Sequence, residues 1–142
     1  MDNNSVGAEL VLNESARDHL KTARKWVFAI SIIGLIVVLF LISSSIYSYI
    51  SLSRWGSVPT GGGVGYLIGI VFTYVFFLIG VSCFFPFYYL YKFSLYLKMA
   101  LDVDDSELLE GSFRYLKLHY KSIGILVLVF TLSYLLVFKV IL

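Results

Sequence analysis

Charged side chains are scarce in this chain. Of its 142 residues only 14% are Asp, Glu, Lys or Arg, against 59% hydrophobic. A soluble domain of this length needs more polar surface to cover its core, so an ordinary globular fold is excluded. Cysteine occurs once, at Cys83, which excludes an intrachain disulfide and suits a small side chain inside a helix. The two histidines, His19 and His119, fall in charged segments without a second ligand at metal-binding spacing. A membrane b-haem needs histidine inside an apolar run, and there is none. Neither a metal nor a cofactor is expected. Ser, Thr, Tyr and Cys83 supply the protic or nucleophilic groups within the apolar runs, with no acid or histidine to activate them. Catalysis there is therefore not expected, and neither is a proton relay.

What is present is a set of three long apolar runs separated by charge. The pattern predicts an all-α integral membrane protein with three transmembrane helices and two cytoplasmic amphipathic segments. Residues 1–12 read as a mobile tail. Residues 13–25 form an amphipathic helix, with Ser15 and Asp18 spaced for a capping box. The helix either lies on the membrane surface or continues directly into span one, 26–50. No cleavable signal peptide is evident, and span one reads as a retained signal anchor. A polar link follows, with the breaker string Pro59-Thr60-Gly61-Gly62-Gly63. The next apolar run is too long for one crossing and too short for two. Pro86 resolves it as a kink that ends span two, 64–86, and begins an interfacial extension, 87–101, rich in Tyr and Lys. Asp104 and Glu107 are spaced for a second capping box. An amphipathic helix, 105–121, then leads without a break into span three, 122–142, with Lys139 near its end.

The bases set an orientation. Arg17, Lys21, Arg24 and Lys25 precede span one, while Lys92, Lys98, Arg114, Lys117 and Lys121 separate spans two and three. The other ends carry only Arg54 and Lys139. By the positive-inside rule the N-terminus is cytoplasmic and the C-terminus external. Eight of the cytoplasmic bases, all but Arg17, form a collar for anionic lipid headgroups. Glu14–Lys25 also echoes Glu110–Lys121 at one fixed offset. Any basic amphipathic helix feeding a membrane span shows that likeness, so a duplication is not inferred.

Small residues mark packing faces. Gly65, Gly69 and Thr73 stand four apart, and Gly34 lies in span one. Such positions let a second helix approach closely. The glycine string lacks the Gly-Lys-Ser/Thr ending of a phosphate loop. Asp102, Asp104, Asp105 and Glu107 lack the spacing of a calcium loop, and helix capping accounts for them more simply. The tyrosines from Tyr88 to Tyr96 match an aromatic belt at the headgroup level.

Phe84-Phe85-Pro86-Phe87-Tyr88-Tyr89-Leu90-Tyr91-Lys92-Phe93-Ser94, then Lys98-Met99-Ala100-Leu101, Phe113-Arg114-Tyr115-Leu116-Lys117 and the ending Tyr120-Lys121-Ser122-Ile123-Gly124-Ile125 carry a resemblance. With the approach from Leu20 to Trp26, they resemble a family of small bacterial inner-membrane proteins known only as a domain of unknown function. The resemblance implies a bacterial inner-membrane setting and brings no activity or cofactor. The expected function is a non-catalytic accessory or scaffold subunit of a larger membrane assembly, with other membrane subunits or itself as partner and no nucleic acid. The alternative is a homo-oligomeric pore or small-solute transporter without proton coupling. The Ser43–Ser45 run, Thr73 and the Gly65/Gly69 face would line it.

Overall fold

The computed structural model describes residues 14–56 and 63–141. The expected tail over 1–12, Asn13 and the breakers Pro59 to Gly62 lie outside the described residues. Every described element is an α-helix: α1 is Glu14–Gly56, α2 is Val64–Val103 and α3 is Ser106–Ile141. All three are long and apolar enough to cross a membrane, which supports a multi-pass membrane protein. At about 1.5 Å per residue, the 40 residues of α2 extend some 60 Å, twice a ~30 Å hydrocarbon core.

Each helix joins an apolar run to the charged segment beside it. Residues 14–25 continue into 26–50, 64–86 into 87–101, and 106–121 into 122–141 without a break. Helix propagation adds a hydrogen bond for each residue fixed, and only Pro86 interrupts that ladder. Pro86 has no N–H to offer the Ser82 carbonyl, yet α2 remains helical on both sides of it to Val103. At the start of α1, Ser15 is already helical and so does not cap the helix.

The corner between α2 and α3 is two residues, Asp104 and Asp105. Asp104 adopts the left-handed conformation, φ 55° and ψ 41°. Its N–H and that of Asp105 both donate to the Ala100 carbonyl, closing α2. The cap of α3 is Asp105 and not Asp104. Its Oδ1 accepts from the N–H of Glu107 at 2.8 Å and of Leu108 at 3.4 Å. Asp104 is committed to ending the preceding helix, so its neighbour starts the next one.

Packing follows a strict alternation of three and four residues. On α1 every position of the series Arg17, Leu20, Arg24, Val27, Ser31, Gly34, Val38, Leu41, Ser45, Ser48 and Leu52 is buried or half-buried. That is the heptad seam of antiparallel helices packed knobs-into-holes. It faces a matching α2 series: Gly69 meets Leu52, Gly80 meets Ile42, Phe87 meets Gly34, and Ser94 Oγ donates to the Arg24 carbonyl at 3.3 Å. α2 carries a second seam toward α3, through Ser82, Pro86, Tyr89, Phe93, Tyr96 and Ala100. The α3 side answers with Leu108, Ser112, Tyr115, His119, Ser122 and Leu126, none of them exposed. α1 and α3 make no close backbone approach to each other among the described residues, so α2 is the central helix.

The core sits at the charged end. Phe93, Leu97 and Leu101 of α2 are buried there, with Leu20 and Val27 against them from α1 and Leu109, Tyr115 and Leu116 from α3. Elsewhere polar groups on the seams are satisfied locally: Ser31, Ser45, Thr73 and Ser112 each donate to a carbonyl three or four residues back.

Candidate functional site

The antiparallel registers bring one end of all three helices together and sort its charges by height. At the tip lie all seven described acids: Glu14 and Asp18 on α1, Asp102, Asp104 and Asp105 at the corner, Glu107 and Glu110 on α3. Above them, toward the charge-free portions, come Lys21, Arg24, Lys25, Lys92, Lys98, Arg114, Lys117 and Lys121. Among the described residues, Lys21 alone of these eight has a carboxylate within reach, Asp18 at 3.6 Å, and both side chains are largely exposed. The result is an acidic tip under a ring of bases, of which all but Lys21 have no carboxylate within ion-pair distance among the described residues.

One cation breaks the order. Arg17 lies among the acids, and its Nη2 donates to the Leu101 carbonyl and pairs with Asp104 Oδ1 at 2.8 Å. The left-handed turn at Asp104 sends the nearby N–H groups to Ala100, leaving Leu101 free to accept from α1. Its Nε is enclosed with no acceptor among the described residues, which subtracts from the gain. The arginine is two-thirds buried while Asp104 is 71% exposed, so the ion pair itself is worth at most about 1 kcal/mol. The charged hydrogen bond to a helix-end carbonyl is worth about 1.5–3 kcal/mol. Arg17→Ala should therefore destabilise more than Asp104→Gly, which keeps the left-handed turn and removes only the pair. Chemical unfolding and amide exchange over residues 14–24 measure this. Equal effects of the two variants would show that the ion pair, not the cap, holds α1.

Higher up, His119 Nδ1 lies 2.9 Å from the Pro86 carbonyl and ties α3 to α2 beside the proline. Beside it, Lys92 Nζ lies over the Tyr88 ring, 5.9 Å from its centre. The Tyr96 and Tyr115 rings approach to 5.0 Å across the α2–α3 seam. A hydrogen bond with the Tyr96 side chain and burial raise the Tyr115 phenol above its ordinary range, so it remains a protonated donor at neutral pH.

The small residues singled out from sequence occupy different settings. Gly34 is buried under the Phe87 ring, Gly69 lies against Leu52, and Thr73 is buried. A side chain at Gly65 would meet open space. Gly80, buried against Ile42, was not singled out, because its neighbours in sequence offer no small residue four positions away. Two grooves flank the α1–α2 seam in the charge-free half. The larger, about 550 Å³, has Ser44, Ser48, Ser51, Gly69 and Thr73 in its wall. Among the described residues no group of three or more His, Cys, Asp or Glu is gathered to hold a metal.

No family model, curated protein or solved structure matches this chain.

Proposed function

We propose that this chain is a non-catalytic accessory or scaffold subunit of a larger assembly in the bacterial inner membrane. Its N-terminus and the charged end lie in the cytoplasm, and its C-terminus lies outside. The likeness to small inner-membrane proteins supports the location. Eight collar bases at one end, against Arg54 and Lys139 toward the other, support the orientation. The collar would rest on anionic headgroups.

The observation that carries the reading is the outer half of α3. Its seam with α2 ends at Leu126, and from Val127 to Leu136 every side chain is exposed. α1, by contrast, stays against α2 through Leu52. A span held only by its inner half leaves a membrane-depth face for another subunit, through packing rather than a hydrophobic drive. A photo-crosslinker at Leu128 or Leu135 should give one discrete protein adduct in the native membrane, and the same residue at Ile33 should not. Lipid adducts alone at all three positions, with a bare monomer by native mass measurement, would remove the proposal.

The hydroxyl-lined groove between α1 and α2 favours a second reading, a homo-oligomeric pore or solute carrier. Flux through the reconstituted chain alone, lost on Ser48→Leu, would favour it over the scaffold.

A further inference from the structure

We infer that Lys92 and Tyr96, with Tyr115 holding the Tyr96 hydroxyl in place, bind the phosphate of an anionic phospholipid at the α2–α3 seam. This rests on the proposed placement of the charged end at the membrane interface and goes beyond a diffuse basic collar to one defined site. Lys92 and Tyr96 are one turn apart on α2, and Tyr115 meets Tyr96 from α3, ring to ring at 5.0 Å, close enough to Lys92 to feel its charge. The site thus exists only where the two helices are packed.

Its charge is incomplete without a ligand. Lys92 is half-buried, and among the described residues no carboxylate lies within ion-pair distance of it. The Tyr88 ring beneath the ammonium offers a quadrupole but no counter-charge. The half-buried stem restricts where the ammonium can go, and an ammonium with no carboxylate beside it favours an anion. Tyr115 donates its hydroxyl to Tyr96, which leaves the Tyr96 O–H as the donor beside the ammonium. One ammonium and one hydroxyl held in place by its neighbour form a donor pair that suits the two non-bridging oxygens of a phosphodiester.

The position selects the source of that phosphate. Lys92 is the base of α2 nearest to its charge-free stretch, so it stands at the headgroup level of the proposed topology. Lys98, Arg114 and Lys117 nearby have no carboxylate within ion-pair distance among the described residues. They repel the choline of a zwitterionic lipid and favour a headgroup such as phosphatidylglycerol, whose phosphate charge is not offset.

Native mass measurement of the full chain, released from mild detergent with added lipid, tests this. Phosphatidylglycerol should remain bound, with phosphatidylcholine at least about tenfold weaker. Lys92→Gln should weaken phosphatidylglycerol about tenfold, and Tyr96→Phe with Tyr115→Phe about three- to tenfold. Lys117→Gln, which removes the same charge elsewhere in the collar, should change it less than about twofold. Lys92→Arg, which restores the cation, should recover much of the binding, and this separates ligand loss from misfolding. Equal losses from Lys117→Gln and Lys92→Gln would overturn the site in favour of diffuse attraction. Equal binding of the two lipids would overturn the charge argument. Glycerol phosphate binding as tightly as the lipid would overturn a lipid source. Sidedness does not enter this measurement, and labelling a Met99→Cys variant in vesicles of known orientation tests it separately.

Discussion

Leu97→Ala should cost about 2–5 kcal/mol of unfolding free energy, whereas Val38→Ala should cost much less for each carbon removed. The two side chains are equally enclosed, Leu97 at 0% and Val38 at 1% exposure. What differs is the solvent each would meet on unpacking. Leu97 sits between Phe93 and Leu101 at the charged end, so unpacking it in the proposed topology exposes it to water. Val38 lies on the charge-free stretch of α1, where lipid tails are as apolar as its present neighbours. Its deletion forfeits dispersion contacts and opens a cavity, but the transfer component, about 0.8 kcal/mol per methylene, is absent. Chemical unfolding in mild detergent, with each loss divided by the carbons deleted, reads the difference. Equal per-carbon losses would place the charged end in an apolar medium and overturn the topology.

That contrast also explains what the residues alone disclosed. Three helices capable of crossing a membrane follow from the charge-free runs, because nothing else in the chain is long and apolar enough. Continuity was legible as well: Pro86 reads as a kink inside one helix that extends past the span, and α2 runs through the proline to Val103, where Asp104 ends it. Arg17 looked like one more base on a solvated face. Its partners, Leu101 and Asp104, lie more than eighty residues away, and Leu101 is free only because Asp104 turns left-handed. His119 is a similar case. A lone histidine in a basic stripe gives no hint that the Pro86 carbonyl stands beside it. The alternation of three and four along α1 was present in the letters. It was hidden because its positions mix Arg, Ser, Gly and Leu, so no hydrophobicity scale marks them as one face. The Ser43–Ser45 run drew notice as a block, yet only Ser45 lies on the seam and is buried.

Gly34→Ala should destabilise the bundle by about 1–3 kcal/mol, and Phe87→Ala in the same chain should remove most of that penalty. A methyl at position 34 would overlap the Phe87 ring, including Cγ at 2.6 Å. Cγ is bonded directly to the Phe87 Cβ, so the ring cannot swing clear at its far end. Either χ1 changes into the neighbouring turn or the helices separate, and the seam on both sides of Gly34 resists separation. The other glycines calibrate the effect. At Gly69 the nearest atom is a terminal methyl of Leu52 at 3.2 Å, which can rotate, so Gly69→Ala should cost little. At Gly65 there is open space, and Gly65→Ala should be neutral or gain up to about 1 kcal/mol from helix propensity. A graded series with Gly34 far above the others, and a penalty that disappears with Phe87, identifies close approach as the reason for the glycine. Equal penalties at all three sites would instead trace the effect to the helix backbone, and the α1–α2 seam would lose its closest contact as an explanation.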